Sequence, residues 1–217
     1  HRVIYGDTDS LFVLLNPAIE NQRADEIASE LNYALGRYVK QKWRVESKLE
    51  LEYECLYLRF FLPPIRGTGV QLRGRAKGYA GLRVDPGGDG DPVFDIKGME
   101  AVRRDWTQAA RKLQKKLLLM LFEDRPVEDL RGYIREYIQQ LLAGKHDTDL
   151  VYKKALRKPV SSYTRSVPPH VKAAKALDPE DQEGVIEYLW TEAGPQPAGK
   201  LTAAIDYGHY LEKQLKP

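Results

Sequence analysis

The alternation of apolar and polar residues in the first hundred positions predicts β-strands around one helix. Two β-forming runs, Val3–Tyr5 and Leu11–Leu15, flank a short polar segment, which is the pattern of a β-hairpin with its turn at Gly6–Thr8. A helix is predicted to begin within residues 21–25 and to end near Trp43, because apolar residues recur there every three or four positions. The residues on its core face are Ile27, Leu31, Ala34, Leu35, Tyr38 and Val39.

Strand patterns follow this helix. Between residues 49 and 55 apolar side chains alternate with glutamates, which predicts a half-buried strand with an acidic outer face, and apolar residues continue to Leu62. Lys77–Val84 is predicted to be another strand and Val93–Ile96 its hairpin partner, on either side of a glycine-rich loop. A helix with antiparallel strands makes this half of the chain α+β.

The composition changes after Gly98, and the second half of the chain is predicted to be mostly helical. One helix is predicted around an apolar stripe, and a second is predicted to begin at Pro126, in the first helical position, and to end at Gly144. A boundary near Gly98–Arg104 gives two domains, residues 1–100 and 101–217. The predicted core stripes are Trp106, Ala109, Ala110, Leu113, Leu117, Leu118, Met120 and Leu121, then Val127, Leu130, Ile134, Tyr137, Ile138 and Leu141.

Beyond residue 145 the sequence is basic and rich in loop-forming residues. It predicts a short helix over Val171–Leu177, a strand over Val185–Thr191 and a final helix over Ile205–Leu215. Residues 145–175 contain eight lysines and arginines against two aspartates, a net charge of +6 in a chain whose total is +3. This concentration of charge favours contact with a polyanion, and the alternative is an ordinary solvated surface.

Composition and cysteine content exclude several classes of protein. The chain has 217 residues, of which 42% are hydrophobic and 30% charged, and no apolar run reaches the ~18 residues of a membrane span. Cys55 is the single cysteine, which excludes a disulfide framework and a cysteine-based metal site. The sequence starts inside a predicted strand without an initiator Met or a signal-peptide pattern, and we therefore expect a fragment of a longer protein.

Two carboxylates in the predicted hairpin are the candidates for chemistry. Asp7 and Asp9 are two residues apart, so on extended backbone their side chains point to the same side. Two like charges so placed favour a bound cation, and carboxylate oxygens suit Mg²⁺ or Mn²⁺. Two-metal phosphoryl transfer uses such a pair. The alternative is plain turn chemistry, because aspartate side chains also hydrogen-bond their own backbone in turns.

The string Tyr5–Ser10, which is Tyr-Gly-Asp-Thr-Asp-Ser, resembles motif C of the family B DNA polymerases. Other strings resemble the same family in the expected order along nearly the whole chain. Those that resemble its palm and palm-to-thumb junction are Phe60–Gly67, Ala76–Leu82, Lys97–Glu100 and Arg103–Trp106. Those closest to the thumbs of the bacterial DNA polymerase II branch are Leu150–Lys154, Ser166–Val171 and Asp206–Leu211.

The resemblance implies a partial polymerase palm, an antiparallel sheet with a helix, in residues 1–100 and a mostly helical, DNA-binding thumb in residues 101–217. The second aspartate of motif C is the family's principal metal ligand from this hairpin and corresponds to Asp9, whereas Asp7 corresponds to the supporting first one. The implied cofactor is Mg²⁺ in a two-metal site. The partner carboxylate lies in a motif, Asp-x-x-Ser-Leu-Tyr, that this sequence does not contain.

The resemblance also implies two sets of DNA contacts. In the palm they come from the primer-side motif and the residues just before it, and in the thumb from the basic stretch. The family's Lys-Lys-Arg-Tyr is Ala-Lys-Gly-Tyr in this chain, which predicts a weaker grip on the primer unless Arg73 and Arg75 restore the charge. The expected contact residues are Arg75, Lys77 and Tyr79, then Lys153, Lys154, Arg165, His170 and Lys172.

The implied function is that of a DNA-directed DNA polymerase, which transfers a nucleotide from a dNTP to a primer 3′-hydroxyl in replication or repair. Its partners would be primer–template DNA, dNTP and a sliding clamp contacted by regions outside this sequence, in the cytoplasm at the nucleoid and without a membrane. The fragment alone is expected to be inactive but to retain duplex binding. The alternatives are a non-catalytic DNA-binding relative of the family and a different two-metal enzyme, such as a nuclease.

Overall fold

The computed structural model describes residues 2–15, 21–63, 77–87 and 91–215, without the side chains of residues 21 and 22. The chain divides into two compact units, His1–Lys97 and Gly98–Pro217. Both units combine helices with antiparallel strands, which confirms the predicted α+β class. Arg73 and Arg75, which were expected to supply charge beside the primer-side motif, lie outside the described residues.

The first unit contains a hairpin, a long helix and a three-stranded sheet. Strands β1 (Arg2–Gly6) and β2 (Leu11–Leu14) pair antiparallel, with an irregularity in register between Val3 and Tyr5. Helix α1 (Asn21–Trp43) begins and ends where the apolar spacing predicts. The sheet has the antiparallel order β3–β4–β5, and the predicted β4–β5 hairpin is confirmed. Its strands are β3 (Leu56–Phe61), β4 (Tyr79–Val84) and β5 (Val93–Lys97).

The predicted strand over residues 49–55 is wrong, because regular pairing begins only at Leu56. The alternation of burial is present, since Leu51 is half-buried and its neighbouring glutamates are exposed. Asn32 of α1 takes the place of a neighbouring strand: its Oδ1 accepts the N–H of Leu51 at 2.7 Å and its Nδ2 donates to the carbonyl of Leu51 at 2.7 Å. The backbone is therefore satisfied by a side chain.

The core face of α1 is narrower than its apolar spacing predicts. Ala24 and Ile27 are buried near the start of the helix, and Leu31 is half-buried. Ala34 and Tyr38 are exposed, contrary to the prediction, and Tyr38 retains 51% of its accessible surface. Helical spacing identifies the face that can pack, but it does not show how wide a part of that face is covered.

The second unit begins with two helices, α2 (Gln108–Phe122) and α3 (Val127–Leu142). The hydroxyl of Thr107 caps α2 by accepting the N–H of Ala110 at 3.4 Å. Pro126 is the N-cap of α3 and not, as the sequence predicted, its first helical residue. Gly144 follows the end of this helix with φ = +77°. Two residues of the predicted stripes, Leu121 and Val127, are exposed instead, because they lie near the connection between the helices.

The rest of the second unit is a sheet with short helices. Its sheet order is β6–β7–β8, and β7 spans the predicted residues, whereas the flanking strands lie where the sequence predicted loop. The strands are β6 (Tyr152–Ala155), β7 (Val185–Thr191) and β8 (Gly194–Pro197). The helices are α4 (Pro169–Ala174) and α5 (Tyr207–Tyr210), and a π-helical turn extends α5 over Leu211–Leu215. Short 3₁₀ turns lie at Glu100–Val102, Asp147–Leu150, Val160–Ser162 and Pro179–Asp181.

One core joins these elements in the second unit. Tyr210 is fully buried, and its hydroxyl accepts the N–H of Trp190 at 2.7 Å. His209 stacks on Trp190 with ring centroids 4.3 Å apart, and its Nε2 shares a 3.0 Å hydrogen bond with the hydroxyl of Tyr152. This histidine thus has a packing role in the core, and burial lowers its pKa. The fully or nearly buried members are Ala109, Leu113, Tyr137, Leu141, Leu150, Leu189 and Tyr210.

Strand β8 has the sequence Gly-Pro-Gln-Pro and lies at one end of this sheet. The N–H of Ala198, just beyond the strand, donates to the carbonyl of Glu187 in β7 at 3.0 Å. Since successive N–H groups along a strand alternate in direction, Pro195 and Pro197 occupy the positions that face away from β7. Proline, which has no N–H, is compatible with those positions.

Candidate functional site

The tip of the β1–β2 hairpin carries the two candidate metal ligands. Gly6 pairs with Leu11, so the turn consists of Asp7–Ser10, later than the predicted Gly6–Thr8, and is closed by a 3.0 Å hydrogen bond from the N–H of Asp7 to the carbonyl of Ser10. Asp7 and Asp9 are both exposed. Asp7 and Asp9 both belong to the turn, so they do not lie on extended backbone as the sequence predicted.

The two carboxylates differ in their local partners. Oδ1 of Asp7 accepts the N–H of Thr8 at 2.8 Å and its hydroxyl at 3.3 Å, which is the turn chemistry expected of an aspartate. Oδ1 of Asp9 accepts only a long 3.3 Å bond from the hydroxyl of Ser10, as far as the described contacts go. In the described part of the chain, no group of three or more His, Cys, Asp or Glu side chains is arranged to hold a metal.

Lys77 lies beside this hairpin. Its backbone N–H donates to the hydroxyl of Tyr5 at 2.8 Å, and its Nζ is 4.0 Å from Oδ1 of Asp7. Its φ of +60° is uncommon for a residue other than glycine, and Gly78 follows it. The exposed ion pair contributes little stability, so the backbone bond is the better indication that the primer-side string lies against the hairpin.

An aromatic cluster fixes the hairpin on the sheet of the first unit. Phe12 of β2 lies with its ring centroid 5.1 Å from those of Phe60 in β3 and Tyr79 in β4. Tyr5 of β1 is 6.1 Å from Tyr79 by the same measure. Each such aromatic pair is worth about 0.5–1.5 kcal/mol beyond its buried area. Tyr79, which was expected to contact DNA, is therefore part of the support of the hairpin.

Tyr57 completes the cluster from β3. Its hydroxyl donates to Oδ2 of Asp95 at 2.8 Å, and burial together with this carboxylate raises the pKa of the phenol. The ring crosses β4 at Gly81, where a Cβ would collide with Cδ1 of Tyr57 and would lie 2.7 Å from the carbonyl oxygen of Arg59. Glycine at this position thus lets the ring lie flat on the strand.

An open groove of about 860 Å³ lies in the same unit. Its walls include β2, the first half of α1 and the segment over residues 50–58. Its lining is mixed, with apolar side chains beside the charged groups of Asp9, Asp95 and Lys97 and of the glutamates in the segment over residues 50–58. The second carboxylate of the hairpin therefore borders this groove.

In the second unit, Lys153 and Lys154 are adjacent on β6 and so point to opposite faces of the sheet. Nζ of Lys153 is 2.6 Å from Oε1 of Glu187 in β7, which offsets part of its charge. Lys154 lies near two titratable groups. Its charge lowers the pKa of His170, after the larger effect of burial, and it contributes to the lowered pKa of Asp105.

The remaining expected DNA contacts of this unit lie around β6 in the chain. Lys172 is on α4 next to His170, whose ring is 6.5 Å from that of Tyr163, and Arg165 is in the preceding connection. The lowered pKa favours the neutral form of His170, which would act as a hydrogen-bonding group more than as a cation.

An ion pair that the sequence reasoning did not predict lies close to Lys154. Nε of Arg103 donates to Oδ1 of Asp105 at 3.0 Å and its NH2 group to Oδ2 at 2.6 Å, and this pairing is the largest cause of the lowered pKa of Asp105. A fork-like contact of this kind fixes a guanidinium in place. The short spacing of opposite charges in Arg-Arg-Asp is the signal that could have indicated it.

The comparisons with known proteins agree with these features. The model of DNA polymerase family B matches residues 1–189 of the chain. The chain belongs to DNA polymerase family B, and the resemblance first drawn from short strings is confirmed. No helix among the described residues has the length and apolar character needed to cross a membrane.

Among its relatives, the chain is 43% identical to DNA polymerase II of Escherichia coli K12, over 99% of this chain and 28% of that protein. It is 35% identical to the human DNA polymerase zeta catalytic subunit, over 72% of this chain and 4% of that protein. The family B DNA polymerase structure from Pyrobaculum calidifontis aligns with a TM-score of 0.59 and 26% identity, over 100% of this chain and 26% of that one. The chain thus spans about a quarter of the length of DNA polymerase II, a relative that matches almost all of it.

Proposed function

We propose that this chain is the part of a DNA-directed DNA polymerase that carries one side of a two-metal site and a DNA-binding surface. Residues 1–100 would be the C-terminal part of the palm and residues 101–217 the thumb. The reaction is transfer of a nucleotide from a dNTP to the 3′-hydroxyl of a primer on a template strand. The observation that carries the proposal is the exposed Asp7–Asp9 pair on a hairpin tip held by the aromatic cluster, in a chain of this family.

The donor set at this tip fits Mg²⁺. Magnesium in proteins is usually held by one or two carboxylates together with substrate phosphates, and the hairpin offers two exposed carboxylates. Two bound Mg²⁺ ions would activate the primer hydroxyl and stabilise the charge of the leaving pyrophosphate. A further carboxylate would come from outside this chain, and for that reason the 217 residues alone are expected not to extend a primer.

The contacts at the tip favour Asp9 as the principal ligand. Oδ1 of Asp7 already accepts two bonds from Thr8 and lies 4.0 Å from Nζ of Lys77, so its charge is shared with fixed donors. Asp9 receives only the weak bond from Ser10 among the described contacts, and its carboxylate keeps more of its capacity for a cation. The role of Asp7 would be to support the site and to position Lys77.

DNA would be held by non-specific contacts in both units. Lys77, with Arg75 before it, would contact the primer strand beside the hairpin, and Tyr79 would support that segment. Contacts to phosphates carry no sequence information, which suits an enzyme that must copy any template. In the second unit the contacts would come from Lys153, Lys154, Arg165, His170 and Lys172.

The partners of the longer polymerase would be primer–template DNA, dNTP and a sliding clamp contacted outside this chain, at the nucleoid of a bacterial cell. A non-catalytic DNA-binding relative is the second candidate. The observation in its favour is that Asp7 satisfies turn donors of its own hairpin, as a purely structural aspartate does. The Ala-Lys-Gly-Tyr string, which lacks two of the family's cations, points in the same direction.

Substitution of the two aspartates in the longer polymerase separates these candidates. Asp9→Asn keeps the shape but removes a ligand charge, so kcat should fall by about two to three orders of magnitude while DNA affinity stays nearly unchanged. Asp7→Asn should cost less. Asp91→Asn, in an exposed loop, is the matched control and should retain activity. Small and equal losses for Asp7→Asn and Asp9→Asn would support the non-catalytic relative.

A further inference from the structure

The last turn of α1 carries exposed aromatic rings that are held in place by a lysine. Tyr38 and Trp43 are 51% and 55% exposed, and their rings meet edge to face with centroids 5.6 Å apart. Nζ of Lys42 lies 4.7 Å from the ring centroid of Trp43 and donates to the hydroxyl of Tyr38 at 2.8 Å. We call Tyr38, Lys42 and Trp43 the aromatic cluster of α1.

This arrangement is ordered before any ligand arrives. A cation above an aromatic face is attracted by the ring, and the hydrogen bond to Tyr38 fixes the same lysine at its other side. Two rings with a fixed mutual geometry lose little conformational entropy on binding, which favours tight contact with a flat partner.

The surroundings of the cluster are strongly basic. Residues 37–48 contain five cations and one acid, Glu46, a net charge of +4 in a chain whose total is +3. The cations are Arg37, Lys40, Lys42, Arg44 and Lys48. The chain outside this segment and the 145–175 stretch is therefore acidic overall, and the cluster lies in one of its two concentrations of positive charge.

Arg44 occupies a backbone position that usually takes glycine. Its φ is +56°, and its N–H donates to the carbonyl of Lys40 at 3.0 Å. Arg44 is therefore the residue in left-handed conformation that ends the helix. A side chain there costs backbone strain that glycine would avoid. The strained position places a guanidinium directly after Trp43, which is consistent with a functional use of that charge.

We propose that the aromatic cluster of α1, together with Arg44, is a binding site for single-stranded nucleic acid. One base stacks on the face of Trp43 that Lys42 does not cover and another on Tyr38, and the neighbouring cations contact the phosphates between them. Duplex DNA does not expose the faces of its bases, so the cluster favours a single strand. The residues of this site are different from the hairpin carboxylates and from the 145–175 stretch of the proposed polymerase.

A protein partner fits this surface less well. Lysine is depleted at the core of protein–protein contacts, because its ammonium group must lose its hydration there. Lys42 covers a face of Trp43 at the centre of the cluster, so a protein partner would have to bury this ammonium group. A phosphate backbone neutralises these groups without burying them.

The test uses the 217-residue chain and a fluorescein-labelled dT12 strand, with affinity measured by anisotropy at fixed salt. Trp43→Ala and Tyr38→Ala should each weaken binding about tenfold, the effect of losing one stacked base. Trp43→Phe retains a ring and should keep most of the affinity, while the quenching of tryptophan emission by dT12 is reduced. Tyr33→Ala is the matched control: Tyr33 is 70% exposed on the same helix, about 140° around its axis from Tyr38, and its loss should change nothing.

The variant Arg44→Gly distinguishes an effect on dT12 binding from an effect on the stability of the fold. It removes a cation and relieves the left-handed strain, so the thermal midpoint should not fall while the affinity for dT12 decreases several-fold. A loss of affinity that accompanies a loss of stability would contradict the proposal. Circular dichroism melting of each variant supplies that comparison.

Two further outcomes would overturn the inference. One is equal binding of dT12 by the original chain and by Trp43→Ala. The other is an equal loss of duplex and single-strand affinity in Trp43→Ala. If Trp43→Ala instead abolished a concentration-dependent self-association seen by sedimentation, with dT12 binding unchanged, the cluster would be a protein contact. Duplex binding by the 145–175 stretch is measured separately, so failure of this inference leaves the proposed polymerase function untouched.

Discussion

The backbone N–H of Lys77 donates a 2.8 Å hydrogen bond to the hydroxyl of Tyr5, 72 positions earlier in the chain. This bond joins the strand that leads into the Asp7–Ser10 turn to the string that resembles the primer-side motif. The position of the candidate metal ligands is thereby coupled to the position of a candidate DNA contact within one unit.

Tyr5→Phe removes this bond and keeps the ring within the aromatic cluster of the hairpin. The free energy of unfolding should fall by about 0.5–1.5 kcal/mol, near the lower end because the bond is exposed. In the longer polymerase, KM for the primer should rise more than kcat falls. Tyr33→Phe, at an exposed tyrosine outside this cluster, is the control. An unchanged KM in Tyr5→Phe would show that the bond has no role in primer binding.

The basic stretch of the second unit should bind duplex DNA weakly and without sequence preference. If about three to five cations face one duplex, the slope of log K against log salt should be about −3 to −4. Replacing Lys153, Lys154 and Arg165 together by alanine should flatten this slope and weaken binding to all sequences alike. The pairing of Lys153 with Glu187 predicts that Lys153 alone contributes less than Lys154.

A second triple variant, which removes the same number of positive charges, is the control for this measurement. Lys116, Lys200 and Lys213 are exposed lysines outside the 145–175 stretch, and their joint replacement by alanine should leave the slope nearly unchanged. Equal effects of the two triple variants would make the basic stretch an ordinary solvated surface.

Gly81→Ala should destabilise the first unit by about 1–3 kcal/mol, since the added Cβ meets the ring of Tyr57 and the backbone oxygen of Arg59. Gly132→Ala is the matched control, because no atom of the described residues lies within 4 Å of a Cβ at that position of α3. It should stabilise the chain by about 0.5–1 kcal/mol through helix propensity. Denaturant unfolding monitored by circular dichroism measures both, and a neutral Gly81→Ala would contradict the close packing of Tyr57.

Acid should weaken the second unit through His209. Burial lowers the pKa of this histidine below its usual 6.5, against the opposing effect of Asp206, while Lys213 lowers it further and Glu212 raises it. Because the folded state prefers the neutral ring, its contribution to stability is complete above about pH 6.5 and is lost as the pH falls through the lowered pKa. Thermal midpoints of the original chain and of His209→Phe at pH 7.5 and pH ~5 test this, and the variant should lose less on acidification.

Much of the fold follows from local sequence signals. Helix α3 lies between Pro126 and Gly144, and β7 has the apolar run of a buried strand, so both were predicted closely. Strand β6 contains Lys153 and Lys154 and was predicted as loop, because its pairing with β7 is a long-range property. The strand expected over residues 49–55 is absent for the same reason, since alternation cannot show that Asn32 takes the place of a neighbouring strand.

Some features of the candidate site could likewise be predicted from the sequence, and others could not. Asp7 and Asp9 were identified from a six-residue string, because the motif is contiguous in sequence. The proximity of Lys154 to Asp105 and His170 could not be predicted, since it depends on how separate elements pack. Tyr79 was expected as a DNA contact, and the geometry adds a supporting role that only its ring neighbours reveal.

The prolines of β8 have a consequence for association between molecules. A strand at the end of a sheet normally presents a row of N–H donors that can recruit a strand from another chain. At β8 the outward positions are Pro195 and Pro197, which have no donor to offer. This side of the sheet therefore lacks two of the donors that intermolecular strand addition would use, and the covalent structure of two residues disfavours aggregation by edge pairing there.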